Sequence, residues 1–141
     1  MASSFLKSLS NNFKHSFNFL KNYGYVFKFE MLTDDEFELT YTNEEIGKEI
    51  YISLCDSSDT HRFFVIIAII RIPYSSVQNY ISFDVYLTKN NIEHPEALEG
   101  NQKNTENANA YVEAYANLFK QHGIKLITTD KQFPHYFPEW T

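Results

Sequence analysis

A chain of 141 residues, 43% of them apolar and 21% charged, is long enough for one domain, residues 1–141, with its own hydrophobic core. An aromatic content of 17% beside 4 Gly and 4 Pro excludes collagen-like and disordered compositions, and the longest apolar run, Phe63 to Ile70, is far short of the ~20 residues of a membrane span. The net charge of −6 is unevenly spread, since residues 31–60 carry nine acids against Lys48 alone; this argues against nucleic acid, whose phosphates need clustered Lys or Arg, and suits a basic partner.

Phe5, Leu9, Phe13, Phe17 and Leu20 recur at steps of three and four, which predicts an amphipathic helix ended by Gly24. The period then becomes two. Tyr25, Phe27, Phe29 and Met31 alternate with Val26, Lys28 and Glu30. After a turn at Thr33-Asp34-Asp35, Phe37, Leu39 and Tyr41 alternate with Glu36, Glu38 and Thr40; after Asn43 to Gly47, Ile50, Ile52 and Leu54 alternate with Glu49, Tyr51 and Ser53. A third turn, Asp56 to Asp59, leads to a strand over 62–72 whose centre is apolar at every position, so both its faces are expected to be covered. Short turns between successive strands imply an antiparallel meander.

Pro73 ends that strand. Residues 82–90 fit either a strand (Phe83, Val85, Leu87) or a short helix capped by Ser82, and the helix is preferred. Residues 88–104 have the composition of a loop. Ala108, Tyr111, Val112, Tyr115, Leu118, Phe119 and His122 mark a second long helix, with Gly123 as its stop and Ile124, Leu126 and Ile127 as a short extended piece. The tail from Phe133 to Trp140 is aromatic and carries two prolines, so it is not helical. The expected fold is α+β: a meander sheet of four or five strands packed against N-terminal and C-terminal helices.

Motifs for phosphate, dinucleotide or zinc binding and for serine hydrolases do not occur. One cysteine, Cys55, excludes an internal disulfide and fits a cytoplasmic setting. Asp56, Asp59 and His61 beside Cys55 are the densest polar cluster, but their spacing matches no metal loop and turn-forming aspartates account for it. No metal, cofactor or catalytic residue is assigned. The most suggestive feature is collective: Glu36, Glu38, Glu44, Glu45 and Glu49 fall on polar faces or turns of consecutive strands, with Tyr41 and Tyr51 among them. Gathered on one side, they would present a basic protein with carboxylates that speed association and tyrosines that anchor it; a merely solvated sheet face would look much the same. A different expectation is a small-ligand or hydrolytic pocket between sheet and helices, lined by Tyr111, Tyr115 and His122. Oligomeric state is left open.

The stretch Phe19-Leu20-Lys21-Asn22-Tyr23-Gly24-Tyr25 resembles the FLxxYGF-like opening of a group of small bacterial proteins. Strands, an apolar run like Phe63 to Ile70, a Pro73-Tyr74-Ser75 break and a late helix ending in Gly follow in the same order. Some members of that group look like immunity proteins of toxin systems. The resemblance implies a cytoplasmic, non-enzymatic protein that neutralises a basic toxin, and it carries no catalytic residues.

Overall fold

Apolar residues three and four apart commit the opening segment to a helix that must cover something. In the computed structural model, which describes residues 4–33, 36–57, 62–71, 80–93, 95, 98–99 and 105–128, helix α1 (Ser4–Ser16) buries Leu6, Leu9 and Phe13. It then tightens into a 3-10 turn over Asn18–Tyr23. The Leu20 N–H bonds the Phe17 carbonyl at 3.1 Å. That tighter winding puts residues three apart in line, which keeps both side chains in the core. Gly24 closes the turn at φ +87°, and a Cβ there would also lie 2.8 Å from Asn43 Nδ2.

Strands β1 (Val26–Leu32), β2 (Glu36–Asn43), β3 (Lys48–Ser57), β4 (Arg62–Arg71) and β5 (Tyr80–Ser82) follow in that spatial order, each antiparallel to the last. A two-residue strand β6 (Leu98–Glu99) pairs with the start of β4. Asn43 shapes the β2–β3 turn: its Oδ1 accepts the Ile46 N–H at 3.1 Å. Helix α2 (Phe83–Lys89) starts directly after β5, so the helical preference for 82–90 holds. Helices α3 (Thr105–Leu118) and α4 (Ile124–Thr128) complete the described chain. The fold is α+β, a meander sheet with helices on one face. Phe37, Leu39, Ile50, Ile52, Val65, Ile67, Ile69 and Ile81 point into the core and meet Phe13, Phe17, Phe83, Val112, Tyr115 and Phe119.

Three local expectations are corrected. The first concerns β1. Phe27 faces Tyr41, but Phe29 faces Thr40, so a bulge at Lys28 shifts the register by one residue. Such a shift exchanges the two faces. Phe29 therefore lies exposed beside Thr40, while Glu30 takes the helix-side position and is held by Ser10 Oγ at 2.6 Å and Lys14 Nζ at 3.1 Å. The second concerns β4. Its core side is sealed, yet on the other face Ile66 is 41% exposed and Ile70 is half-buried beside a buried Ala68, and among the described residues no helix covers that face. The third concerns Gly123. The helix does not stop there. Phe119–Gly123 forms a single wider π-helical turn, and Ile124, Leu126 and Ile127 continue as helix α4 rather than as extended chain. Gly123 is required because a Cβ would lie 2.8 Å from the ring of Phe119. Leu126 and Ile127 are then fixed from the sheet: Lys48 Nζ donates to the Leu126 carbonyl at 2.6 Å and the Tyr25 hydroxyl to the Ile127 carbonyl at 2.7 Å. The tail from Phe133 and residues 72–79 lie outside the described residues.

Candidate functional site

Strand alternation divides the sheet into a face buried by helices and an open face. The pairings set out the open face in rows. Val26, Thr42, Glu49, Ile70 and Tyr80 form one; Phe29, Thr40, Tyr51, Ala68 and Ser82 form the next; Met31, Glu38, Ser53 and Ile66 form the third. Val26 is 68% exposed, Phe29 53% and Tyr80 38%, which with Ile66 makes an unusually apolar surface for an uncovered sheet.

Glu49 lies on the third strand of this face, at the end next to the β2–β3 turn. It accepts hydrogen bonds from Thr42 Oγ1 at 2.7 Å, from Lys28 Nζ at 3.1 Å and from the Tyr51 hydroxyl. Burial opposes its charged form, but these donors together outweigh burial and hold the carboxyl below its ordinary range. Burial pushes the Tyr51 hydroxyl up to about 12, and the hydrogen bond and charge of Glu49 add to the effect. Glu49 and Tyr51 are thus a closed unit with Lys28, not free groups awaiting a partner.

The other glutamates are placed differently. Glu38 is half-buried on the open face, Glu36 is exposed where β2 starts, and Glu44 and Glu45 are exposed in the turn beyond its end. About 23 Å of strand separates Glu36 from Asn43. The carboxylates bracket the open face instead of converging on one patch. None of these four makes an ion pair among the described residues. Tyr41 is on the helix-covered side, 5% exposed, with its ring edge-on to Phe27 at 5.4 Å. Burial first, and the charge of Glu30 second, push its hydroxyl up to about 12. It is a core residue, not a surface anchor. Val26, Phe29, Ile66 and Tyr80, the most exposed apolar positions of the face, were not among the expected site residues. Their signal was present only as an apolar residue at every position of β4, and in β1 the bulge concealed it.

A groove of about 510 Å³ opens at the Gly24 end of β1. Gly24, Val26, Phe27, Lys28 and Thr42 to Glu45 line it. Asn43 Nδ2 donates to the Tyr23 carbonyl at 3.0 Å, which ties the turn bearing Glu44 and Glu45 to the end of the first helical segment.

Tyr111 and Tyr115 are packed in the core. Both are buried, with ring centres 5.2 Å apart. The Tyr115 hydroxyl donates to Asp84 Oδ1 at 3.0 Å, and the Tyr111 oxygen accepts the Val65 N–H at 3.1 Å. Burial raises the pKa of each. They join α3 to α2 and β4, and His122 sits half-buried in the π-helical turn beyond them. Among the described residues no group of His, Cys, Asp or Glu is arranged to hold a metal ion; Asp59, His61 and the side chains of Cys55 and Asp56 lie outside them. No helix among the described residues is long and apolar enough to cross a membrane. No family model, curated protein or solved structure matches the chain.

Proposed function

We propose that this chain is a non-enzymatic binding protein that engages a basic protein partner over the open face of its sheet. One observation supports this above the others. The face carries exposed Val26, Phe29, Ile66 and Tyr80, and among the described residues no helix covers them and the carboxylates at both ends of β2 make no ion pair. Apolar and aromatic side chains at the centre of an interface supply most of the affinity, while charges at its rim supply rate and partner choice. The arrangement has both components. It differs from a simple acidic surface, because Glu49 is already matched by Lys28. The resemblance of residues 19–25 to immunity-like proteins makes a secreted toxin the kind of basic partner to seek.

The test is a partner captured by the wild-type chain, purified, and then titrated against two variant sets. Phe29→Asp with Ile66→Asp removes the apolar centre; Glu36→Lys, Glu38→Lys, Glu44→Lys and Glu45→Lys together reverse the rim. The first set should abolish binding. The second should slow association and reverse its dependence on salt. Binding indifferent to both sets refutes the assignment.

A further inference from the structure

We infer that the outer edge of β1 is a strand-addition site for an extended segment of the partner, apolar on both faces at its centre and basic at its two ends; this rests on the binding function proposed above and names how the partner is gripped. β1 ends the sheet, and among the described residues no strand pairs with its outer side. The direction of its backbone groups follows from the register. Opposed residues of an antiparallel pair alternate between exchanging hydrogen bonds and turning those groups away. The Thr33 N–H donates to the Glu36 carbonyl at 2.9 Å. Leu32, opposite Phe37, therefore turns its N–H and C=O outward, and Glu30, opposite Leu39, does the same. The bulge at Lys28 interrupts this row, so an added segment bonds Leu32 and Glu30 and covers the start of the strand with its side chains.

The side chains point to the same use. Edge strands are ordinarily kept from pairing by brevity or by charge. β5, at the opposite edge, is three residues long. β1 has seven and exposes apolar groups on both faces. Val26 and Phe29 stand on the open face; Phe27, 43% exposed, stands on the helix side, where α1 packs through Phe13 onto Phe37 of β2 instead. The charges of β1 do not guard its edge, because Lys28 reaches inward across β2 to Glu49 and Glu30 is held by Ser10 and Lys14 of α1. A molecule lying on one face cannot cover Phe27 together with Val26 and Phe29. An added strand does, since its successive side chains fall on opposite faces beside them. Charge selects the occupant. Glu44 and Glu45 are exposed in the turn beside the start of β1, and Glu36 is exposed beside its end; none makes an ion pair among the described residues. A segment with Lys or Arg at both ends meets them. A second copy of this chain does not: paired in either direction, two β1 edges set acidic ends against acidic ends, between chains that each carry −6.

The probe is the blocked peptide Lys-Thr-Val-Tyr-Val-Thr-Lys, titrated into the full-length isotopically labelled chain. At about ten times its dissociation constant it should slow amide hydrogen exchange at Glu30 and Leu32 about tenfold and leave Tyr80 to Ser82 unchanged. The same peptide N-methylated at every central residue keeps its side chains and charge but cannot donate, and should not bind. Glu in place of both terminal Lys should weaken binding about tenfold, and Glu36→Gln with Glu44→Gln and Glu45→Gln should remove that difference. Binding by the N-methylated peptide, unaltered exchange at Glu30 and Leu32, or protection of those amides by dimerisation without peptide each overturns the inference. A captured partner that needs Phe29 and Ile66 yet leaves exchange at Glu30 and Leu32 unchanged overturns it as well and leaves the binding function standing. A partner that protects those amides but ignores Ile66→Asp supports the strand addition and removes the open face from the function.

Discussion

Replacing Gly123 by Ala sets two effects of known size against each other. Inside a helix, Ala is favoured over Gly by about 1 kcal/mol, and Gly123 needs no left-handed backbone, so on propensity alone the substitution stabilises. The π-helical turn opposes it. A Cβ at 123 would stand 2.8, 2.9 and 3.0 Å from three carbons of the Phe119 ring. That ring is fully buried, with Phe83 at 5.0 Å and Phe17 at 5.8 Å between centres, so it has nowhere to withdraw. Overpacking of this kind costs about 1–3 kcal/mol. The net expectation is a loss of about 1 kcal/mol, read as a lower urea midpoint with an unchanged slope. Phe119→Leu vacates the space at its own cost, and in that background Gly123→Ala should become neutral or stabilising. The coupling between the two sites should therefore reach about 1–2 kcal/mol, well above that of independent positions. If Gly123→Ala stabilises the otherwise wild-type chain, the Phe119 ring yields at little cost and its contact does not explain the glycine.

Three further outcomes are expected. Tyr25→Phe removes the hydroxyl that donates to the Ile127 carbonyl at 2.7 Å, so stability should fall by about 1 kcal/mol, with faster amide hydrogen exchange concentrated in 124–128; unchanged exchange there would refute the linkage between Tyr25 and α4. Glu30 is held below its ordinary value of 4.5 by the Ser10 hydrogen bond first and by Lys14, against burial. A carboxyl depressed in the folded state contributes stability that is complete above its unfolded pKa and is lost as pH falls through the folded one. Urea midpoints should thus decline on acidification below about pH 4.5, and Glu30→Gln should flatten that decline; an unaltered acid limb would count against it. Lys28→Met frees Glu49 of its ion pair at 3.1 Å; the Glu49 carboxyl should then titrate at higher pH by carbon-detected NMR, and an unmoved titration would show that Tyr51 and Thr42 alone hold it.

The parts of the fold legible in the sequence are those where one periodicity ran uninterrupted. In β2 and β3 the alternation of Phe37, Leu39 and Tyr41, then Ile50 and Ile52, survives in the structure because the β2–β3 and β3–β4 ladders run without irregularity and the extra residue of the β1–β2 ladder lies in β1. In β1 the alternation was misleading, because a bulge costs one residue of phase and leaves no mark in composition. Glu30 can sit on the helix side only because Ser10 and Lys14 of α1 are there to receive it. That is a contact across 20 and 16 residues, invisible to any local pattern. The uninterrupted apolar run of β4 was read as burial on both faces, yet Ile66 is left for the open side. An apolar residue on a central strand is compatible with a helix above it or with a surface kept for another molecule, and hydropathy does not separate the two.

The candidate site was legible in its residue types and not in its grouping, and Lys28 shows why. Counted along the chain, it belongs to a basic opening segment, while Glu49 belongs to an acidic block that begins after residue 30. Folding cancels part of that separation, because alternation puts Lys28 on the same face as Val26 and its side chain reaches across β2 to Glu49 on β3. One pairing then has two consequences. It removes Glu49 from the carboxylates without an ion pair, and it occupies the ammonium of Lys28, which lines the same groove as Glu44 and Glu45. Among the described residues, the carboxylates without ion pairs therefore lie on β2 or in the turn beyond it, while Glu49, near the Asn43 end of the same ladder, is balanced by Lys28. In the proposed interface the pairing with Lys28 would lower the cost of covering Glu49, whereas Glu38, which has no ion pair among the described residues, would need a cation from the partner.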